Sequence, residues 1–384
     1  RIYMNNEIGI YIHIPFCLKK CYYCDFISYQ NKDELIDKYI YALCNEILKN
    51  AEILSQYDVS TIYIGGGTPS YIDAKYIKQI LDTIYLLVNK DKIKEITIEL
   101  NPNSITEEKL KLYKESGINR LSVGLQSNYN EILKTIGRAH SIEDFEKALN
   151  IMNKVGFDNI SVDLIYPLPN LSLDMFKNTM DYVVNLKSKN IKHISIYNLE
   201  VHENTKLAFL LKEGYLSLVE EDEEYEMYKY LNEILPKHGY NRYEISNYSI
   251  LGFESKHNLN YWNQGKYLGF GVNASSFFGG TRYKNETNIE KYIDDILSNK
   301  DIIIEKEQMD LLGLMKEYII LSLRKTAGLD VNDFKLRYKK NINDIFLDDI
   351  NELITEGLLE RKNSNIKLTD RGLEVANIVW ERFI

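Results

Sequence analysis

Residues 9–26 read Gly9-Ile-Tyr-Ile-His-Ile-Pro-Phe-Cys17-Leu-Lys-Lys-Cys21-Tyr-Tyr-Cys24-Asp-Phe26. Three of the four cysteines of the chain sit here, spaced C-x3-C-x2-C. Three thiolates this close in sequence can hold one iron–sulfur cluster on three of its irons, leaving a fourth iron open to a small molecule. Two alternatives stand beside that reading. One is a structural zinc site, which usually draws on four nitrogen or sulfur donors. The other is three unrelated buried thiols. Cys44 lies in a helical pattern and reads as a small buried hydrophobe.

Working outward, Ile8 to Ile14 is an apolar, β-branched run, which predicts a buried strand closed by Pro15. The cysteine loop therefore leaves the C-terminal end of a strand, where α/β barrels place their chemistry. Phe16, Tyr22, Tyr23 and Phe26 can shield a cluster from water, and Lys19 and Lys20 can temper its negative charge. Ordinary loop packing and solvation account for these six equally well.

The chain has 384 residues, 47 Lys+Arg against 56 Asp+Glu, and a net charge of −9. That length implies two or three domains with a sizeable core. The acidic balance argues against nucleic acid as the main partner. No stretch approaches the length of a membrane span, and the first residues carry no basic-then-apolar signal. Three clustered cysteines do not make a disulfide framework, and an oxygen-sensitive cluster fits a reducing compartment, so a cytoplasmic location is expected.

Helical and strand patterns alternate six times. Strands are predicted at 8–14, 60–64, 95–100, 120–125, 159–165 and 192–198. Helices are predicted at 33–55, 73–89, 106–116, 141–155 and 172–189, followed by a largely helical, charged stretch at 205–237. Six βα units imply a parallel sheet with right-handed crossovers. They are too few for the standard eight-stranded barrel, so the expected fold is α/β, an open (βα)6 partial barrel over residues 1–237. Residues 238–300 are rich in Gly, Asn and aromatics and are expected to form a small irregular β-containing extension. From 301 to 384, helical patterns and a short hairpin predict a winged-helix-like module. Its predicted third helix is acidic around Asp348, Asp349, Glu352 and Glu356, which favours protein contact over DNA.

Each predicted strand end offers polar or glycine-rich residues. Gly65-Gly66-Gly67-Thr68 after the second strand lets backbone approach a ligand closely, though a tight turn needs the same residues. Glu99 ends the third strand, where a carboxylate suits the hydroxyls of a ribose. Gln126 ends the fourth, and Arg138 follows in Gly137-Arg138-Ala139-His140. Asp163 lies in the fifth and is costly to bury alone. Arg138 is its expected partner, because guanidinium and carboxylate pair through two parallel hydrogen bonds. His257-Asn-Leu-Asn-Tyr-Trp262 sets an imidazole beside two aromatics. A structural His–Asn turn beside a core Trp is one reading of it.

Eight segments carry a resemblance across nearly the whole chain. They are Tyr11-Ile-His-Ile-Pro-Phe-Cys17, Gly65-Gly-Gly-Thr-Pro69, Glu99-Leu-Asn-Pro102, Leu121-Ser-Val-Gly-Leu-Gln126, Gly137-Arg-Ala-His140, Asp163-Leu-Ile-Tyr166, Tyr243-Glu-Ile-Ser-Asn247 and His257-Asn-Leu-Asn-Tyr-Trp262. Together they resemble the coproporphyrinogen oxidase-like branch of the radical S-adenosylmethionine (SAM) family, and within it the HemW-type heme chaperones. The resemblance implies that Cys17, Cys21 and Cys24 ligate a [4Fe-4S] cluster whose fourth iron takes SAM. It places Tyr11, Tyr23, Gly66 and Glu99 at that SAM. It places Gly67, Thr68, Gln126, Arg138 and Asp163 where the oxidases hold a second SAM. It further implies heme, with the neutral imidazole of His257 as an axial ligand and Tyr261 and Trp262 stacked on the macrocycle, a heme-acceptor protein, and an electron donor such as a flavodoxin or ferredoxin.

Two departures from the oxidases bear on function. Asp25-Phe26 stands where they carry a further cysteine, and only 16 residues precede Cys17 where they have a longer segment. Both point toward the chaperone. The alternatives are oxygen-independent coproporphyrinogen III oxidation, a radical decarboxylation of propionates, and a related methyltransferase. A third departure, Pro167 in place of a usual glycine, stiffens the loop after the fifth strand.

Overall fold

Ile8, Ile10, Ile12 and Ile14 are fully buried on one face of the first strand, while Gly9, Tyr11 and His13 take the other. A strand puts successive side chains on opposite faces, and all six expected strands divide in this way. The computed structural model describes residues 6–186 and 190–384. In it β1 (Glu7–Ile14), β2 (Asp58–Gly66), β3 (Glu95–Leu100), β4 (Arg120–Gln126), β5 (Ile160–Tyr166) and β6 (Ile191–Asn198) pair in parallel, each with the next. Helices connect them and cover the outer face, where Ile62, Ile64, Ile96, Ile98, Leu121, Val123, Val162, Leu164, Ile194 and Ile196 join one apolar core.

The inner face is polar from end to end. In-register neighbours run Thr61, Tyr63 on β2; Glu95, Thr97, Glu99 on β3; Arg120, Ser122 on β4; Ser161, Asp163 on β5; His193, Ser195 on β6. Arg120 and Glu95 are each only 2% exposed. Charges that deep persist only with partners. Glu95 accepts from the backbone N–H of Lys256 (2.9 Å) and His257 (3.1 Å), and its charge stabilises the Arg120 guanidinium.

The sheet does not close. Five short strands and a sixth edge strand extend it: β7 (Asn241–Arg242), β8 (Asn247–Ser249), β9 (Tyr267–Phe270), β10 (Ser275–Phe278), β11 (Thr281–Asn285) and β12 (Ile303–Gln308). The order is β12-β11-β10-β9-β1-β2-β3-β4-β5-β6-β8-β7. The residues expected as an extension thus continue the barrel's own sheet and share its core. Glu46, on the helix Ile36–Lys49, pins this added layer. It accepts hydrogen bonds from Gly271 N (2.8 Å), Asn285 Nδ2 (2.7 Å) and the Tyr292 hydroxyl. Burial pushes its carboxyl up to about 7 against those three donors.

Residues beyond 310 form a module with its own core, including Met315, Ile319, Phe334, Ile350, Leu353 and Val379. Helices Leu311–Leu323, Val331–Tyr338 and Asn343–Thr355 precede the sheet β13 (Leu329–Asp330), β15 (Asn365–Leu368), β14 (Leu359–Lys362), with β13 set between the first two helices in the chain. The helix expected to 189 is described through Asn185, and residues 187–189 lie outside the described residues. A short helix, Asn130–Thr135, follows β4 and was not expected.

Candidate functional site

The cysteine loop is fixed at both ends by backbone. Cys17 N–H donates to Tyr29 O (3.0 Å), and Tyr22 N–H donates to Ile136 O (2.9 Å). The glycine run at the end of β2 lies against it. Gly67 N–H donates to Ile14 O (2.8 Å) and Thr68 N–H to Phe16 O (2.9 Å). A Cβ on Gly67 would sit 3.0 Å from Cys17 Sγ, and one on Gly65 would sit 2.8 Å from the Glu99 carboxylate. Gly66 has φ +112°, a conformation that only glycine takes cheaply. Close approach, and not the turn alone, therefore demands these glycines.

Cys17, Cys21 and Cys24 open on one cavity of about 490 Å³ at the C-terminal mouth of β1–β6. Of the residues singled out in the sequence, Tyr23, Gly66, Gly67, Thr68, Glu99, Gln126, Arg138 and Asp163 line the same cavity. Glu99 accepts from the Tyr63 hydroxyl (2.8 Å) and Gly66 N–H (3.2 Å), yet burial pushes its carboxyl up to about 7. Asp163 is pushed up by burial as well. Thr68 Oγ1 donates to Cys17 Sγ (3.4 Å). Gln126, at φ +65°, buries its Oε1 without a partner among the described residues. An orphaned acceptor, a glycine cradle and three thiols around one space fit a cluster with a small polar ligand beside it. Among the described residues no three His, Cys, Asp or Glu side chains converge on a single metal-ion position.

The expected Arg138–Asp163 pair does not form. Arg138 donates to Cys21 Sγ (3.5 Å), Gly124 O (2.9 Å) and His140 Nδ1 (3.2 Å). Asp163 accepts from Ser122 Oγ (2.8 Å) and Ser161 Oγ (3.2 Å). Short hydroxyls on the same strand and on the next one reach the carboxylate, so the guanidinium is left for the cysteine loop. Phe26 lines the same cavity and is 61% exposed. Phe16 is buried in the core against Tyr39.

His257, expected as a heme ligand, sits inside the barrel floor. It is fully buried, and both ring nitrogens are engaged: Nδ1 with Thr61 Oγ1 (2.8 Å), Nε2 with the Tyr261 hydroxyl (2.7 Å). Its ring stacks on Tyr63, the residue that donates to Glu99. Burial, aided by the Arg120 charge, holds its pKa down to about 3. An imidazole so placed supports the barrel floor and has no lone pair free for iron.

Tyr11 is also set apart. Its hydroxyl meets His13 Nδ1 (3.1 Å), and it lines a second cavity of about 360 Å³. Tyr261, Trp262, Tyr267 and Phe277 form its aromatic wall, and Arg282 and Glu317 form an ion pair at its border. Phe26 borders both cavities. Of the aromatic wall, Tyr261 and Trp262 were expected as stacking partners, while Tyr267 and Phe277 escaped the sequence reading, as did Tyr63 and Tyr197. Tyr63 lies two residues before Gly65 on the same strand face, and that alternation was the available signal.

The family model of the radical SAM superfamily matches residues 11–183, and that of the HemN C-terminal domain matches residues 310–375. The heme chaperone HemW of Lactococcus lactis subsp. lactis is 37% identical, covering 97% of this chain and 96% of its own length. That of Bacillus subtilis is 35% identical over 97% and 98%, and that of Escherichia coli 28% over 98% and 98%. Among solved structures, coproporphyrinogen III oxidase (HemN) from Escherichia coli superposes with a TM-score of 0.86, covering 100% of this chain and 91% of that one at 23% identity, a likeness of fold. Among the described residues no helix is long and apolar enough to cross a membrane. With relatives this similar along almost their entire length, the chain belongs to the heme chaperone HemW family within the radical SAM superfamily.

Proposed function

We propose that the chain is a heme chaperone that carries a [4Fe-4S] cluster on Cys17, Cys21 and Cys24, binds SAM beside it, and passes heme to an acceptor protein. The observation that carries this reading is the gathering of three thiols, the carboxylates of Glu99 and Asp163 and the guanidinium of Arg138 around one cavity. When bound, cluster and SAM supply one-electron chemistry, fed by a donor such as a flavodoxin or ferredoxin.

The protein's part is positioning. Burial raises Cys17, and raises Cys24 to about 11, so in the free loop both favour the neutral thiol. Iron must take up the charge of the thiolates, and loading releases protons. Arg138 adds a positive charge at Cys21. Glu99 and Asp163 face the cavity as carboxylates that gain from a cation, and SAM brings an ammonium and a sulfonium. Glu99 and Gly66 fit the first SAM, and Gln126 with its unpaired oxygen, Gly67, Thr68, Arg138 and Asp163 surround a second ligand position.

Heme belongs in the second cavity, whose aromatic wall offers a macrocycle flat apolar contact. The test is anaerobic reconstitution followed by two assays on one preparation. Heme should bind, and then move to an apo-acceptor hemoprotein. Coproporphyrinogen III with SAM and reductant should release no carbon dioxide beyond one turnover per chain. Sustained decarboxylation would replace the chaperone with the oxidase.

A further inference from the structure

The aromatic cavity presents several side chains able to ligate iron, and all but one are committed. His13 engages the Tyr11 hydroxyl through Nδ1 (3.1 Å) and Ile27 O through Nε2 (3.0 Å). The Tyr261 hydroxyl is taken by His257 (2.7 Å), and Glu317 pairs with Arg282 and accepts from Gln264 Nε2 (2.7 Å). Tyr267 is the exception. It lines the cavity, and its hydroxyl has no hydrogen-bond partner among the described residues. Its ring is held from the side by Tyr261, with centroids 4.7 Å apart at 80°.

The sheet places a cation on the same face. Tyr267 on β9 stands in register with Phe277 on β10, and Phe277 with Arg282 on β11. In-register neighbours share a face, so Tyr267, Phe277 and Arg282 form one row across three strands. Burial raises the Tyr267 phenol above its ordinary value, and Arg282, which also pairs with Glu317, offsets part of that rise. Phenolate is among the protein ligands that hold heme iron, and a nearby guanidinium stabilises its charge.

We propose that Tyr267 is the axial ligand of ferric heme in this cavity, with Arg282 as the countercharge. This rests on the cavity being the heme site. On binding, the phenol gives its proton to solvent and the phenolate oxygen replaces water on Fe(III), with no change of oxidation state. The reading also explains how a family member can carry heme while the imidazole of His257 stays in the barrel floor.

Ferric heme is titrated into the full, cluster-reconstituted chain and followed by electron paramagnetic resonance and resonance Raman spectroscopy. The wild type should show a high-spin ferric signal with iron–phenolate vibrations. Tyr267→Phe should lose those vibrations and bind heme roughly tenfold more weakly or worse, at unchanged iron–sulfide content. Tyr267→His should exchange the phenolate signature for an imidazole one, and it decides the matter should the phenylalanine variant fold poorly. An identical spectrum in Tyr267→Phe, or imidazole ligation in the wild type, overturns the ligand. Failure of the wild type to bind heme at all instead overturns the heme reading on which it rests.

Discussion

The two cavities share a wall and little else. The first is lined by thiols, carboxylates and amides at the mouth of six parallel strands, and β2 to β6 each contribute to its polar floor while β1 leads into the cysteine loop. The second is lined mainly by rings and is assembled from β1, β9, β10, the helix Lys256–Trp262 and the helix Leu311–Leu323. The first holds charged and polar groups in fixed positions, and the second presents aromatic faces. A single site for both ligands would need polar floor and apolar wall at once. Here the added strands solve that by extending the same sheet sideways.

The largest effect expected is on the first cavity alone. Cys17→Ala, Cys21→Ala and Cys24→Ala should each abolish a cluster of about four irons per chain, read as iron and sulfide content, while Cys44→Ala should keep it. Heme affinity should survive all four changes, since none of these sulfurs lines the aromatic cavity. Joint loss would break the separation.

His257→Ala tests the seam between the two. It strands the Thr61 and Tyr261 hydroxyls and should cost roughly 2–4 kcal/mol of stability in chemical unfolding, as two buried groups lose partners. Its ferric heme signature should remain that of the wild type. A lost axial ligand would restore His257 as the iron's partner.

Glu99→Ala should weaken SAM binding by about 1–3 kcal/mol, the scale for losing a charged partner, and leave heme affinity alone. Because burial holds Glu99 protonated up to about 7, SAM should bind more tightly as pH rises from 6 to 8. That slope should be absent in Glu99→Gln. Calorimetry at three pH values distinguishes the two.

The smallest effect is a pH slope in stability. Glu46 titrates at about 7 in the fold against 4.5 as its ordinary value. Between those values the folded chain binds more protons, so this group's contribution falls as pH rises. The stability difference between wild type and Glu46→Gln should therefore shift toward the variant from pH 5 to pH 8. A flat difference would show that the hydrogen bonds from Gly271, Asn285 and Tyr292 offset the burial.

Much of the first cavity was legible in the sequence because its parts follow local rules. Cysteine spacing, strand ends and glycine runs are read from neighbours a few residues apart, and all six strands lie within two residues of their expected ends. Arg138 was misassigned for a reason local rules cannot supply. Its carboxylate of choice had serines on adjacent strands, and only the register of β4 with β5 brings Ser122 to Asp163. His257 carried a usable signal, since Tyr261 follows it by one helical turn, the spacing at which side chains meet. Of the second cavity only Tyr11, Tyr261 and Trp262 were legible, because the rest of its wall comes from segments too short for any periodicity, such as the four residues of β9 and of β10. The helix Asn130–Thr135, six residues long, is hidden for the same reason.

Phe26 has a thermodynamic consequence. It borders both cavities and is not packed into the core. An occupant that shifts this ring on one side reshapes the boundary on the other. Two ligands that bias one shared element obey reciprocity: whatever factor SAM imposes on heme affinity, heme must impose on SAM affinity. The chain is then a two-input device. Replacing Phe26 with alanine should bring that factor toward one while leaving each separate affinity measurable.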